Sequence, residues 1–330
     1  MKTFANVNAR DVQQAVTLSQ RARRDGGTVA FAGAGSDLLA LVKERIVKPD
    51  VLINLKTIKG LDQVASASGG GVNIGGLITL DALSRHPAIR RDYAVLAEAA
   101  ESVATPQIRN FGTLAGNVCQ RPWCWYFRNG FPCYKAGGNQ CFSATGENQF
   151  HAIFGGGPSY IVHPSDTATA LVALDAKFRV VGPASERTVP AAEFFILLKQ
   201  DAARENALAN DEVLASIQLP AAPPGTRSTY HKVLDREAWT HAVVSAAVVL
   251  EMDHDTCRAA RIVLGGVAPI PWRVPDAERL LVGQRITPEL AAKASAAALA
   301  GAAPLKKNAY KVPLTKEVVQ RTVLGLATRA

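Results

Sequence analysis

No apolar run in this chain approaches the 18 or so residues that a membrane-spanning helix needs. Its start, MKTFANVNAR, has a single Lys and no apolar core, so no export signal of its own is expected. The compartment stays open between cytoplasm and periplasm, because a folded subunit can be exported with a partner. Basic residues are scattered, and no Lys/Arg-rich block alternates with aromatics, so the formal charge of +9 does not point to nucleic acid. Cysteine is scarce and odd in number, five in 330 residues, which speaks against a disulfide framework. Internal repeats are absent, and the alanine-rich ELAAKASAAALAGAA reads as helix. What is present, 48% hydrophobic and 20% charged residues, suits a globular chain with room for two ordinary domains. One basic excess stands at the end, with Lys306, Lys307, Lys311, Lys316, Arg321 and Arg329 against Glu317 alone. It reads as a solvated face or as a docking surface for an acidic partner.

TVAFAGAGSDLLALVKER runs from a β-rich segment through a glycine loop into an apolar-periodic one, and VLINLK follows as another strand. Gly33 and Gly35 let backbone approach a ligand, and Ser36 or Asp37 is placed to cap the helix that follows. A pyrophosphate site and an ordinary turn are both open on that segment. GVNIGGLIT then reads as a strand, with helices in LDALSRHPAIRR and YAVLAEAAESVA. TPQIRNFGTLAGN reads as a loop holding Thr113, Gly116 and Asn117, a second set of groups for the same anion. GGGPSYIVHPSDTATALVALDA reads as a glycine turn, a short strand, and a helix capped by Ser165 or Asp166. KFRVVG and DEVLASIQLP are further strands. The clearest boundary is LPAAPPGTRS, with three prolines and a glycine in positions 220 to 225. Beyond it HAVVSAAVVLEM and CRAARIVLGGVAP flank a hairpin-like DHDT, followed by alanine-rich helices, an α+β unit.

Four cysteines, Cys119, Cys124, Cys133 and Cys141, fall within NVCQRPWCWYFRNGFPCYKAGGNQC at Cys-x4-Cys-x8-Cys-x7-Cys. Structural zinc usually takes close pairs, and only the first gap approaches that. An iron–sulfur cluster takes four thiolates on irregular loops, with Gly130, Gly137 and Gly138 able to turn N–H groups toward sulfur. Trp123, Trp125, Tyr126, Phe127 and Phe131 are placed to shield such a site. Spacing alone leaves iron and zinc both open. Cys257 stands apart and reads as a small buried hydrophobe.

FAGAGSDLL, INLKTIKGL, IGGLITLDAL, PQIRNFGTLAGN, HPSDTATALVALDA, YHKVLDREAWTHAVVSAA and LGGVAPIPWR occur in this order. Together they resemble the flavin-binding medium subunit of the molybdenum hydroxylases, the xanthine dehydrogenase and carbon monoxide dehydrogenase group. The resemblance implies an α+β fold: a PCMH-type FAD-binding domain over 1–222, with subdomains of about 1–57 and 58–222, then a smaller α+β flavoprotein C-terminal domain over 223–330. It implies that Ala32, Gly33, Ala34, Gly35, Ser36, Asp37 and Leu38, with Thr113, Gly116 and Asn117, bind the FAD pyrophosphate. It further implies that Asp166 contacts the adenosine ribose and that Lys232 lies near the flavin. Ala34 stands where the family usually has its second Gly, a conservative change if the backbone there has negative φ.

The cysteine-rich insert, 118–142, is similar to that of bacterial three-subunit aldehyde oxidoreductases, whose flavin subunit also carries a [4Fe-4S] cluster. That likeness implies Cys119, Cys124, Cys133 and Cys141 as its ligands. It also implies a heterotrimer, or a dimer of heterotrimers, with a large molybdenum-cofactor subunit that oxidises an aldehyde to a carboxylic acid and a small [2Fe-2S] subunit. No residue of this chain need act on the aldehyde. The flavin subunit of a xanthine dehydrogenase or hydroxybenzoyl-CoA reductase type, or a stand-alone flavin oxidase, is the alternative. His231, His241 and Trp239 fall near the flavin by their place in YHKVLDREAWTHAVV. Animal members carry a lysine near where Ala242 falls, which puts NAD in doubt as acceptor and leaves oxygen, a quinone or a redox protein.

Overall fold

The computed structural model describes residues 2–237 and 240–328, and Trp239, expected near the flavin, lies outside them. Among the described residues the strands form three sheets. The first contains β1 (Ala5–Asn8), β2 (Val29–Ala32) and β3 (Val51–Asn54), in the order β1-β3-β2 with both pairings parallel. Parallel neighbours need crossovers, which the helices Val12–Arg24 and Leu38–Lys43 supply. Asp11 caps the first by accepting from the Gln14 N–H at 2.7 Å, and Ala15 and Val16 bury its inner face.

The second sheet is antiparallel: β4 (Val64–Ser66), β5 (Val72–Gly75), β6 (Lys177–Val181), β7 (Glu186–Pro190) and β8 (Val213–Leu219), ordered β4-β5-β8-β6-β7. The chain leaves this sheet after Gly75 and returns at Lys177, and that excursion carries Thr113, Gly116, Asn117, the cysteine-rich insert and Asp166. Two expectations fail there. TPQIRNFGTLAGN is not a loop but two short helices, Pro106–Phe111 and Leu114–Val118, capped by the Thr105 and Thr113 hydroxyls. The short strand expected before HPSD is irregular chain, tied by the His163 N–H to the Ala268 carbonyl at 2.9 Å.

The third sheet, β9 (Thr226–Val233), β10 (Val244–Asp253), β11 (Thr256–Gly265) and β12 (Trp272–Arg273), is an antiparallel meander ordered β12-β11-β10-β9. The DHDT hairpin is where expected, with His254 at φ 51 in its turn. HAVVSAAVVLEM lacks polar alternation because both faces of β10 are covered. Ala247 and Val249 join the core formed with the helices Ala94–Glu101 and Asp166–Ala173, while Ala246, Val248 and Leu250 pack under the helices Pro275–Leu281, Pro288–Ala298 and Lys311–Ala327. Chain on both sides of LPAAPPGTRS therefore shares one core. The terminal basic stretch is not a single surface: Lys311 is wholly buried, Arg321 pairs with Glu317, Lys307 with Glu147, and Arg329 lies outside the described residues. No helix of the described residues is long and apolar enough to cross a membrane.

Candidate functional site

The glycine loop follows β2 directly, because β2 ends at Ala32 and the next helix starts at Leu38. Its close neighbour is Thr113: a Cβ on Gly33 would stand 2.7 Å from the Thr113 Oγ1, so only glycine lets the two segments approach this far. Gly35 has φ +76, a region costly for other residues, whereas Ala34 does not, which meets the condition for alanine there. The second segment is hooked onto the 76–80 turn by the Leu114 N–H to Ile78, Ala115 N–H to Gly76 and Leu80 N–H to Gly112 bonds.

Asp37 occupies the N-cap position but makes no side-chain cap. Its carboxylate accepts from the Arg128 Nη2 at 2.7 Å and from the Arg121 backbone N–H at 3.0 Å, both in the cysteine-rich insert. Asn117 lies inside the short helix rather than in a loop, and its Oδ1 accepts from the Ser165 and Thr167 hydroxyls, each at 2.6 Å. That leaves its amide N–H groups as the available donors.

Ser165, not Asp166, caps the helix Asp166–Ala173, accepting from the Ala168 N–H at 3.0 Å. Asp166 is thereby freed from capping. It is 5% exposed, and its two oxygens accept from the Tyr230 hydroxyl at 2.6 Å and the Lys232 Nζ at 2.7 Å. Burial first, then the Asp166 charge, raises the Tyr230 phenol well above its usual value. Lys232 also donates to the Ser102 carbonyl at 3.0 Å and sits behind Asp166.

Ser36, Asp37, Thr113, Gly116, Asn117 and Asp166, drawn from three separate parts of the chain, line one cavity of about 370 Å³. Trp123, Trp125, Phe150, Pro164, Asp166, Thr240 and His241 are shared with an adjoining cavity of about 150 Å³, which Ala242 also lines. Trp123 faces His241 at 5.4 Å between ring centroids. His231, by contrast, is exposed on β9. Arg128, Tyr230 and the aromatic walls carried no sequence signal that tied them to this cavity.

The five cysteines are all free. Burial pushes the Cys124 thiol up to about 11, the Phe127 and Tyr126 N–H groups oppose this, and the nearby Cys133 and Cys141 thiols add to the rise. Cys124 and Cys133 pack in one small cluster with Leu41 and Phe127. Cys124 Sγ also lies 3.4 Å from the His151 Nε2, and Cys141 Sγ lies 3.1 Å from the Ser143 Oγ. Cys119 ends the helix Leu114–Val118 and packs against the main core, where burial pushes its thiol up to about 12. Among the described residues no group of three or more His, Cys, Asp or Glu side chains is arranged to hold a metal ion. Cys257 is buried on β11, as expected of a small hydrophobe.

His163, which lines the smaller cavity, is held neutral: burial first, then the Lys135 charge, lowers its pKa to about 3, and the Val118 carbonyl opposes them. A folded pKa below the unfolded value means that the unfolded chain takes up the proton first as pH falls. Stability is then fully present above about pH 6.5 and declines toward pH 3, by about 2 kcal/mol from this group between pH 7 and pH 5. Urea midpoints at the two pH values should show it, and in a His163→Phe variant the difference should shrink by that amount. An unchanged pH dependence would refute the assignment.

Comparison with known proteins identifies the family. The family model of the FAD binding domain in molybdopterin dehydrogenase matches residues 2–222, and that of the CO dehydrogenase flavoprotein C-terminal domain matches 229–326. The aldehyde oxidoreductase FAD-binding subunit PaoB of Escherichia coli (strain K12) is 33% identical over 325 residues, covering 97% of this chain and 96% of that one. The carbon monoxide dehydrogenase medium chain of Hydrogenophaga pseudoflava is 29% identical, with 90% and 89% covered. A solved carbon monoxide dehydrogenase structure from Hydrogenophaga pseudoflava superposes with a TM-score of 0.77 at 26% identity, over 98% of this chain and 96% of that one. The chain therefore belongs to the FAD-binding medium subunits of the molybdenum hydroxylases, and is the flavin subunit of an oxidoreductase of that family.

Proposed function

We propose that the chain binds FAD across the two joined cavities and a [4Fe-4S] cluster in the cysteine-rich insert. On this proposal it carries electrons from molybdenum and [2Fe-2S] partner subunits, which oxidise an aldehyde, to an external acceptor. The domain limits proposed with it are 1–222 and 223–330. The observation that carries the FAD assignment is the convergence of Ser36, Thr113, Gly116, Asn117 and Asp166 on one cavity.

These residues fit FAD. Gly33 and Gly35 let backbone come close to the pyrophosphate, and with Ala32, Ala34, Ser36, Asp37 and Leu38 they form one side of the grip. Thr113, Gly116 and the Asn117 amide form the other. The Asp166 carboxylate, fixed by Tyr230 and Lys232, keeps lone pairs for a ribose hydroxyl. Lys232 acts through Asp166. Trp123, Trp125 and Phe150 supply apolar walls for a flat ring and keep water from it. For the cluster, the chemistry of the donor set fits: the insert carries four free thiols, and Cys124 and Cys133 pack together. When bound, FAD collects electrons singly and releases them as a pair, and an iron–sulfur centre carries one at a time.

The aldehyde assignment is supported by the 33% identical relative, whose own name is that of an aldehyde oxidoreductase subunit. The absorption spectrum of the anaerobically purified chain tests the whole proposal. Flavin bands over a broad iron–sulfur shoulder are expected, and a colourless zinc protein would refute it. Cys124→Ser should abolish the shoulder and the bound iron while sparing FAD; unchanged iron content would show that the ligand assignment is wrong.

A further inference from the structure

We propose that Arg128 is a positioning residue that couples the cysteine-rich insert to the glycine loop, so that FAD at the loop and order in the insert stabilise each other. This rests on the proposal that the 32–38 loop binds FAD. Arg128 closes the short helix Trp125–Arg128, four residues after Cys124, and its side chain is 6% exposed. Its Nε donates to the Pro122 carbonyl at 2.9 Å, and its Nη2 to the Asp37 Oδ1 at 2.7 Å and the Arg121 carbonyl at 3.1 Å. Its Nη1 donates to the Glu44 Oε2 at 3.3 Å, and its guanidinium carbon stands 4.1 Å from the centre of the Trp123 ring.

One planar group thus holds three things at once: both ends of the helix after the glycine loop, the 121–122 turn of the insert, and the face of Trp123. Trp123 meets His241 and lines both cavities, so the guanidinium that holds the loop also sets a wall of the site. Asp37 completes the link. It gives up helix capping, and its second oxygen accepts from the Arg121 backbone N–H. The glycine loop is therefore fixed from the insert rather than from its own helix. A lysine could supply the charge but not several directed bonds together with a flat face for Trp123. Coupling of this kind is reciprocal: whatever the insert contributes to FAD affinity, FAD returns to the insert.

The test uses the full chain, stripped of FAD and titrated back, with flavin fluorescence as the affinity readout and hydrogen exchange of residues 121–131 as the readout of order. In the unsubstituted chain FAD should bind and slow exchange across the insert. Arg128→Lys, which keeps the charge, should weaken FAD binding about tenfold and abolish the FAD-dependent protection. Arg128→Met should do no worse than about the same if coupling is through the directed bonds. A purely structural role would lower the melting temperature but leave FAD able to slow exchange in the lysine variant. Equal affinity and equal protection in Arg128→Lys would overturn the proposal. Failure of the unsubstituted chain to take up FAD would overturn the assignment of the loop itself, and this proposal with it.

Discussion

Asp166→Ala should lower stability by about 3–5 kcal/mol and strip the chain of FAD, the largest effect expected of any single side chain here. Among the described residues the carboxylate removed is the only acid that pairs with the Lys232 ammonium, which is 4% exposed and of whose partners there the Ser102 carbonyl remains. An unpaired charge in that position is costly because water cannot reach it, while the pair as a whole contributes much less. The double variant Asp166→Ala with Lys232→Met should therefore recover much of the stability, yet not FAD binding, because the ribose contact is still missing. Urea titrations and flavin content read the two effects separately. A loss of under about 1 kcal/mol in the single variant would refute the buried-pair account.

Gly33→Ala should weaken FAD binding at least about tenfold, or about 1.4 kcal/mol. The added methyl would lie 2.7 Å from the Thr113 Oγ1 and 3.5 Å from its Cγ2, so one of the two segments must move. Thr113 cannot yield freely: its hydroxyl accepts from the Gly116 N–H at 3.2 Å and caps the helix Leu114–Val118. Displacement would part the two sides of the pyrophosphate grip. If the clash is the cause, Gly33→Ala should cost less in a Thr113→Ala background than alone. Additive effects in that cycle, measured by flavin fluorescence on reconstitution, would count against a contact between the two segments.

Much of the β structure was legible because strand and turn signals are local. HAVVSAAVVLEM, DHDT and CRAARIVLGGVAP became a hairpin in register, and VAFA with VLIN became parallel neighbours. The Thr113 segment has the composition of a loop because its glycines and polar residues are turn formers. Threonine caps and packing against the 76–80 turn made it helical instead. Lys311 was placed with the surface charges for the same reason of locality. In the fold it is buried and donates to the Gly266 carbonyl at 2.6 Å and the Phe150 carbonyl at 3.0 Å, and burial lowers its pKa to about 7.

The sequence by itself determined the family, the order of the segments and which residue types are available for FAD and for a metal cluster, because those depend on motifs read along the chain. Only the tertiary structure decided what each of those residues does. Asp37 holds the insert instead of a helix end, and Asp166 is freed from capping and locked by Tyr230 and Lys232. Cys124 and Cys133 pack together while Cys119 lies against the main core. Hydrogen bonds and ion pairs act over a few ångströms, so partners dozens of residues apart leave no mark in composition or spacing until the sheets and helices bring them together.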